Sequence, residues 1–468
     1  MIRKTIIKEL KEIFRDGRFQ FSALLVLLLI TVAVAIGINQ YKNTNEQYKA
    51  SQSTERNIWD NQGEKNPHSA AHFGNYVFKP KNALALLDQG VDKYEGVSIF
   101  LEAHSRNEAQ YSAAGDQTGL SRFGELTPEF ILLFVMPLLI IIIGYNSFTK
   151  EKEGGTDVLL KSQGISNLKL TIAKLIAVYI PVFIICGILF LVAGIILSFL
   201  KDYGAFNWAR LFSLYVVYLL YYLVFTQIVL LISAITKRSG ISLVSALSFW
   251  IISCFIAPKT ASNIAELNYP YPTKQTFLSQ LNQAKKGGLN GHNPWSKESK
   301  ALEAKLLKEH NVSHVSELPF NFSGYIMQKG EEHEAEVYFK EYSKLKQQFS
   351  NQANTYKALA FISPFLPARF LSMGIAGTDY ESHMAFAEAA EAYRIKTQKF
   401  LNDNNMNNSK YGERGYRADA DFWKTLPNFT YTPVGLSTVI NHQKTNMFLL
   451  IFWVILSAIL LFTSTKKI

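Results

Sequence analysis

The sequence predicts an α-helical integral membrane protein with six transmembrane helices, a mixed first external domain and a mostly helical second external domain. Three observations predict it. Six nearly uncharged apolar runs approach the ~20 residues with which a helix crosses a ~30 Å hydrocarbon core. Lys and Arg gather at four places that fall on one side if each run crosses once: residues 3–18, 150–174, the "TKRSG" turn with Lys237 and Arg238, and the end at Lys466 and Lys467. Two long hydrophilic stretches follow the first and fifth runs and lie on the other side.

Each element follows in order. In residues 1–20, Ile2, Ile6, Leu10 and Ile13 recur at helical spacing beside Ile7 and Phe14, while Arg3, Lys4, Lys8, Lys11 and Arg15 fill much of the remaining face. That pattern reads as a cytosolic amphipathic helix in the membrane interface, or as a basic tail that only orients the first span. The first span, 21–38, is followed by "NQYKNTNEQYK" with no small-residue cleavage site, so it is expected to remain as an anchor. External domain 39–129 mixes Tyr, Val and Phe with Gly and Pro over residues 71–110, the composition of short extended pieces and turns. The second span is 130–148, a cytosolic loop occupies 149–174, and spans three to five are 175–200, 209–236 and 241–257. External domain 258–446 holds three stretches rich in Glu, Lys, Ala, Leu and Gln with apolar residues three and four apart, hence helices. Between the last two, "FISPFLPARFLSMGIAGTDY" is too broken by Pro and Gly for a regular helix and is expected to form a buried or membrane-touching bend. The sixth span is 447–464.

Charge and cysteine exclude some classes. The net charge of +11 is partly the orienting excess, and no basic-aromatic groove pattern or nucleic-acid motif accompanies it, so no nucleic-acid partner is expected. Cys186 and Cys254 both fall inside spans, which leaves the external domains without disulfides and favours a bacterial envelope protein. His68 and His72 are four apart, with His104 further on and Asp88 and Glu102 nearby; His310 and His314 are also four apart, and His333 sits among glutamates. None of these has a recognised zinc spacing. His72, His104, His310 and His314 are therefore only weak metal candidates, and the expectation is that the chain binds no metal or other cofactor.

The spans lack the mid-membrane Asp, Glu or His of an ion-coupled carrier, and the chain has no GxxxxGK[ST] phosphate loop. Any driving energy must come from another protein. The stretch "EKEGGTDVLLKSQGISNLKLTIAKL" then becomes informative. It resembles the cytosolic loop after the second span in permease subunits of type-2, export-class ATP-binding-cassette (ABC) transporters. The matching residues are the acidic Glu151 and Glu153, Gly155 and Thr156, Leu159 and Leu160, the polar turn 162–166, and Lys174 entering the third span. Gly154 and Gly155 let the chain turn, Thr156 or Asp157 can cap the helix running to Leu160 and Lys161, and the charged side can pair with an ATPase subunit. "HFGNYVFKP", "LDQGVDKYEGVSIFLEAH", "ELTPEFILLFVMPLLIIIIGYNSF", "SPFLPARFLSMGIAGTDYESHMAFAEAAEAYR" and "FWKTLPNFTYTP" are similar to blocks of a bacterial subfamily of these permeases with external domains after spans one and five.

The resemblance implies a subunit with no ATP site of its own in the bacterial inner membrane, both termini cytoplasmic. It implies a second permease subunit, the same or a related chain, and an ABC ATPase that holds the ATP and Mg. ATPase closure would push the 151–174 loop and the amphipathic helix, driving alternating access or mechanical transmission. Pro137 and Pro181 are candidate kinks. Tyr215, Tyr218 and Tyr222 share one face of the fourth span, as a pathway lining, a subunit seam or plain packing. Two other readings stand beside this one: a non-transporting scaffold or sensor with an envelope partner, and an external metal-dependent enzyme on a membrane anchor.

Overall fold

The computed structural model describes residues 2–112, 126–200, 207–413 and 415–466, the side chains of residues 160 and 161 apart. Lys467 lies outside these residues. Among the described residues, six helices are long and apolar enough to cross a membrane: Gly17–Asp60, Pro128–Glu153, Asn167–Phe199, Trp208–Ile235, Ser239–Asn268 and Lys444–Lys466. The fourth is the central one, packed on the second, third and sixth. In its most apolar window 67% of residues are buried, against 17% for the first span, whose Phe21, Leu24 and Leu28 face outward. A helix apolar all round needs either protein or lipid on every side.

The first span outruns its expected end. The apolar run 21–38 continues without a break to Asp60, a helix of 44 residues and hence ~66 Å, about twice a hydrocarbon core. No Gly or Pro interrupts residues 39–60, and the far end is tied down by tertiary contacts. Trp59 meets Trp423 edge to face at 6.0 Å, its Nε1 donates to Trp423 O, and Arg56 Nη1 donates to Leu426 O at 2.7 Å.

The region after this helix contains the short extended pieces expected. Strands Asn75–Phe78, Ser98–Glu102 and Ser105–Arg106 form an antiparallel sheet, with Asn75 opposite Leu101 and Phe78 opposite Ser98. Val77, Ile99 and Leu101 pack on Phe386 and Ala390 of helix Tyr380–Asn408. The stretches after spans one and five therefore share cores and build one body. Most of the rest of that body is helical: Lys274–Lys285, Lys297–His310, Phe322–Leu359 and Tyr380–Asn408.

The bend expected near residue 370 is corrected. Phe365–Ala376 is a regular α-helix, buried along ten of its residues and seated against the fourth and sixth spans. Its prolines are harmless because Pro364 is the N-cap and Pro367 falls in the first turn, where the N–H has no helical partner anyway. Gly377 ends the helix in the left-handed region (φ +73°), and a Cβ there would stand 2.5 Å from the Asn82 amide nitrogen.

Two spans carry the same local device. Ile131–Val135 and Ile252–Ile256 are π-helical turns, each followed by an Ala-Pro or Met-Pro pair at the return to α-helix, with Pro137 and Pro258 as the prolines. A proline offers no N–H to carbonyls one turn back. Hydroxyls from neighbouring elements supply the donors: Tyr222 to Leu132 O and Tyr221 to Leu133 O, both at 2.9 Å, from the fourth span, and Ser363 to Ser253 O at 2.7 Å, from the turn before helix Phe365–Ala376. Pro181, by contrast, sits inside the continuous helix Asn167–Phe199. Removing either tyrosine hydroxyl leaves a buried carbonyl unsatisfied, at about 1–3 kcal/mol. Tyr221→Phe and Tyr222→Phe should each lower the unfolding midpoint in detergent, while Tyr215→Phe, whose hydroxyl serves no backbone carbonyl of the second span, should not.

Candidate functional site

The loop between spans two and three builds a charge network with the first helix. Glu151 ends up 5% exposed and Lys174 fully buried, 2.8 Å apart. Lys174 Nζ also donates to Ser147 O at 2.6 Å and Glu9 Oε1 at 3.2 Å. Glu9 lies on helix Ile2–Arg15, which packs along the third span. Lys150 reaches Glu9 and Glu12 at 3.3 and 2.5 Å, and Lys8 reaches Glu9, Glu12 and Glu151 at 3.3, 3.2 and 3.7 Å. Lys8, Lys150 and Lys174 thus balance Glu9, Glu12 and Glu151. Burial pushes the Glu9 carboxyl up, but Lys174, Lys150 and Lys8 outweigh it and hold it below its ordinary value.

The side expected to meet a partner is therefore turned inward at Glu151. Buried charge is tolerated when paired and hydrogen-bonded, and here it joins first helix, loop and third span. Glu153 is exposed but also engaged: its carboxylate accepts from Ser239 N and Oγ, both at 2.7 Å, at the start of the fifth span. Lys152 donates to the Ala234 and Thr236 carbonyls at the end of the fourth. Gly155 adopts φ +67°, the turn that glycine permits, and Gly154 and Thr156 are exposed beside it. Asp157 sits in the first turn of helix Asp157–Ser162, on which Val158 and Leu159 are 68% and 59% exposed. Of the remaining loop candidates, the side chains of Leu160 and Lys161 lie outside the described residues.

Residues 107–254, which contain this loop and spans two to four, match the family described as ABC-2 family transporter protein. Residues 274–432 match a domain of unknown function, DUF3526. The chain fits a type-2 ABC permease with an extra domain. No curated protein matches it. The DUF3526 match covers most of the helical body between spans five and six, and the ABC-2 match covers the charge network's loop and Lys174.

Two of the three tyrosines on the face of the fourth span are buried within the chain, and the third is partly buried. Tyr218 and Tyr222 are 1% and 0% exposed; Tyr218 meets the Ser372 hydroxyl at 2.9 Å and Tyr222 serves the π turn. Tyr215 is partly buried against Phe190 at 5.3 Å. Tyr221, next to Tyr222 in the chain, does the same work for Leu133 O.

Histidines from both hydrophilic stretches converge at the far end of the molecule. His68 and His72 lie on helix Pro67–Phe73, His104 on the turn between the last two strands and His292 in the loop before helix Lys297–His310. His68 and His72 Nε2 are 3.2 Å apart, and His104 and His292 Nε2 are 2.7 Å apart. His104 Nδ1 faces Glu331 at 2.9 Å and Glu334 at 3.5 Å. Burial pushes the His104 imidazole down, but those two carboxylates raise it to about 9. Burial and the neighbouring rings lower His68 to about 4. His310 and His314 are elsewhere: His310 packs on Phe320, and the His314 N–H donates to Glu317. His292, unremarkable in sequence, carried no local signal because its partners lie 188 and more residues away.

Proposed function

We propose that this chain is the membrane subunit that couples ATP hydrolysis on a separate ABC ATPase to substrate translocation or mechanical transmission across a bacterial inner membrane. Both termini and the 149–174 loop would be cytoplasmic, the helical body would face the envelope, and a second permease subunit would complete the pathway. ATP and Mg would be held by the ATPase. The single observation that supports this reading most is the juxtaposition at the loop. Helix Asp157–Ser162 offers Val158 and Leu159 to solvent, while the same loop is fastened by Glu151 and Lys174 to the third span and to helix Ile2–Arg15. A load applied to the exposed pair would be passed to three elements together, because the buried charges cannot separate without large cost.

The test separates docking from transmission. Val158→Asp with Leu159→Asp alters only exposed side chains, so the permease should fold and insert as before. Copurified ATPase should fall at least ~10-fold, the scale of losing one buried aliphatic contact. If wild-type permease brings down no ATPase, or the double variant retains it fully, coupling at this loop is wrong, and a nucleotide-independent scaffold becomes the better reading.

A further inference from the structure

We propose that His68, His72, His104 and His292 bind a divalent transition-metal ion that prefers imidazole, such as Zn2+, and that the ion fastens the stretch after span one to the stretch after span five. Each residue offers one ring nitrogen, and these atoms all lie within 4.8 Å of one another. Four ligands at the usual Zn–N length of ~2.0–2.1 Å on a tetrahedron stand ~3.3–3.4 Å apart. The His68–His72 and His104–His292 pairs, at 3.2 and 2.7 Å, need only small shifts to reach that spacing.

The scaffold around the rings is built to aim them. Asn66 caps helix Pro67–Phe73 by accepting from the His68 and Ser69 N–H groups, and the four-residue interval then puts His68 and His72 on one face. His104 adopts φ +61°, a conformation that a residue other than glycine holds only when its surroundings impose it. Here Glu331 accepts from its N–H at 2.8 Å, while Lys285 and the Tyr338 hydroxyl donate to its carbonyl, both at 2.7 Å. Glu331 also takes the Nδ1 side of the ring and is itself held by the buried Arg394 at 3.0 Å. That leaves Nε2 of His104 turned to the other rings. A carboxylate behind a ligating imidazole fixes its tautomer and strengthens it as a donor.

The donor set selects the ion. Neutral nitrogen ligands suit Zn2+, Cu2+ or Ni2+, whereas Mg2+ and Ca2+ require oxygen. His72 and His292 are exposed, so an ion can reach the cluster from solvent. Three ligands come from residues 68–104 and one from residue 292, so a bound ion crosslinks two regions that the chain separates by the second to fifth spans. This site is independent of the loop at the other end of the bundle.

The full-length chain, purified in mild detergent with a histidine-free tag and stripped with a chelator, should take up one Zn2+ per chain in equilibrium dialysis, with Kd below ~1 μM. His72→Ala with His292→Ala, both exposed positions, should weaken binding at least ~100-fold and leave circular dichroism and elution volume unchanged. His310→Ala with His314→Ala should bind as wild type, and excess Mg2+ should not displace the ion. Substoichiometric Zn2+ on wild type, equal affinity in the two double variants, or displacement by Mg2+ would each overturn the proposal.

Discussion

Lys174→Met is expected to loosen helix Ile2–Arg15 from the bundle, at a cost of ~3–5 kcal/mol. Lys174 is fully buried, and without it Lys8 and Lys150 still serve Glu9 at 3.3 Å each. The uncompensated charge falls on Glu151, whose other cation, Lys8, stands 3.7 Å away on a half-exposed side chain. Amide exchange measured in detergent should therefore speed up by about two to four orders of magnitude over residues 2–15 and 147–153, and far less in helix Tyr380–Asn408. Adding Glu151→Gln should restore much of the protection, because the buried acceptor then no longer carries charge. Unchanged exchange in the single variant, or no rescue in the double, would mean that the network does not hold these elements together. Under the proposed function, the same variant should uncouple ATP turnover by the partner without preventing its docking, since Val158 and Leu159 are untouched.

Arg394→Met should be comparably severe at the other end of the molecule. The Arg394 side chain is fully buried; it grips both oxygens of Glu391 at 2.9 Å, Glu331 at 3.0 Å and Glu102 O at 3.3 Å. Burial works against the guanidinium, but Glu391 and Glu331 outweigh it and raise its already high pKa. Removing the cation leaves Glu391 without its paired contacts and Glu331, itself 5% exposed, with His104 at 2.9 Å as its remaining cation, at a cost of ~3–5 kcal/mol. Limited proteolysis should then cut within helices Phe322–Leu359 and Tyr380–Asn408 under conditions where the wild-type body resists. Arg394→Lys should recover only part of this, because an ammonium cannot make the paired contact to Glu391. Full resistance in Arg394→Met would show that apolar packing alone holds these helices.

The sequence by itself determined what depends on local pattern and on the water–lipid partition. Runs of apolar residues long enough for a bilayer marked the six helices able to cross it, and three-and-four spacing marked the helices around residues 300, 340 and 395. Glycines at 154 and 155 marked the turn that Gly155 makes, and the loop's likeness to type-2 permeases agrees with the family matched by residues 107–254. Tertiary structure decided everything that depends on which distant groups meet. A glutamate in a charged loop looks solvent-facing until Lys174 and the first helix close over it, and a proline-broken stretch looks irregular until its prolines fall at a helix start. Tyr221 and Tyr222 acquire their purpose only from carbonyls that Pro137 leaves bare nearly ninety positions earlier in the chain. The histidine cluster is the clearest case: His292 joins His68, His72 and His104 across four spans, and local sequence carries no trace of a contact whose energy is realised only after the chain has folded.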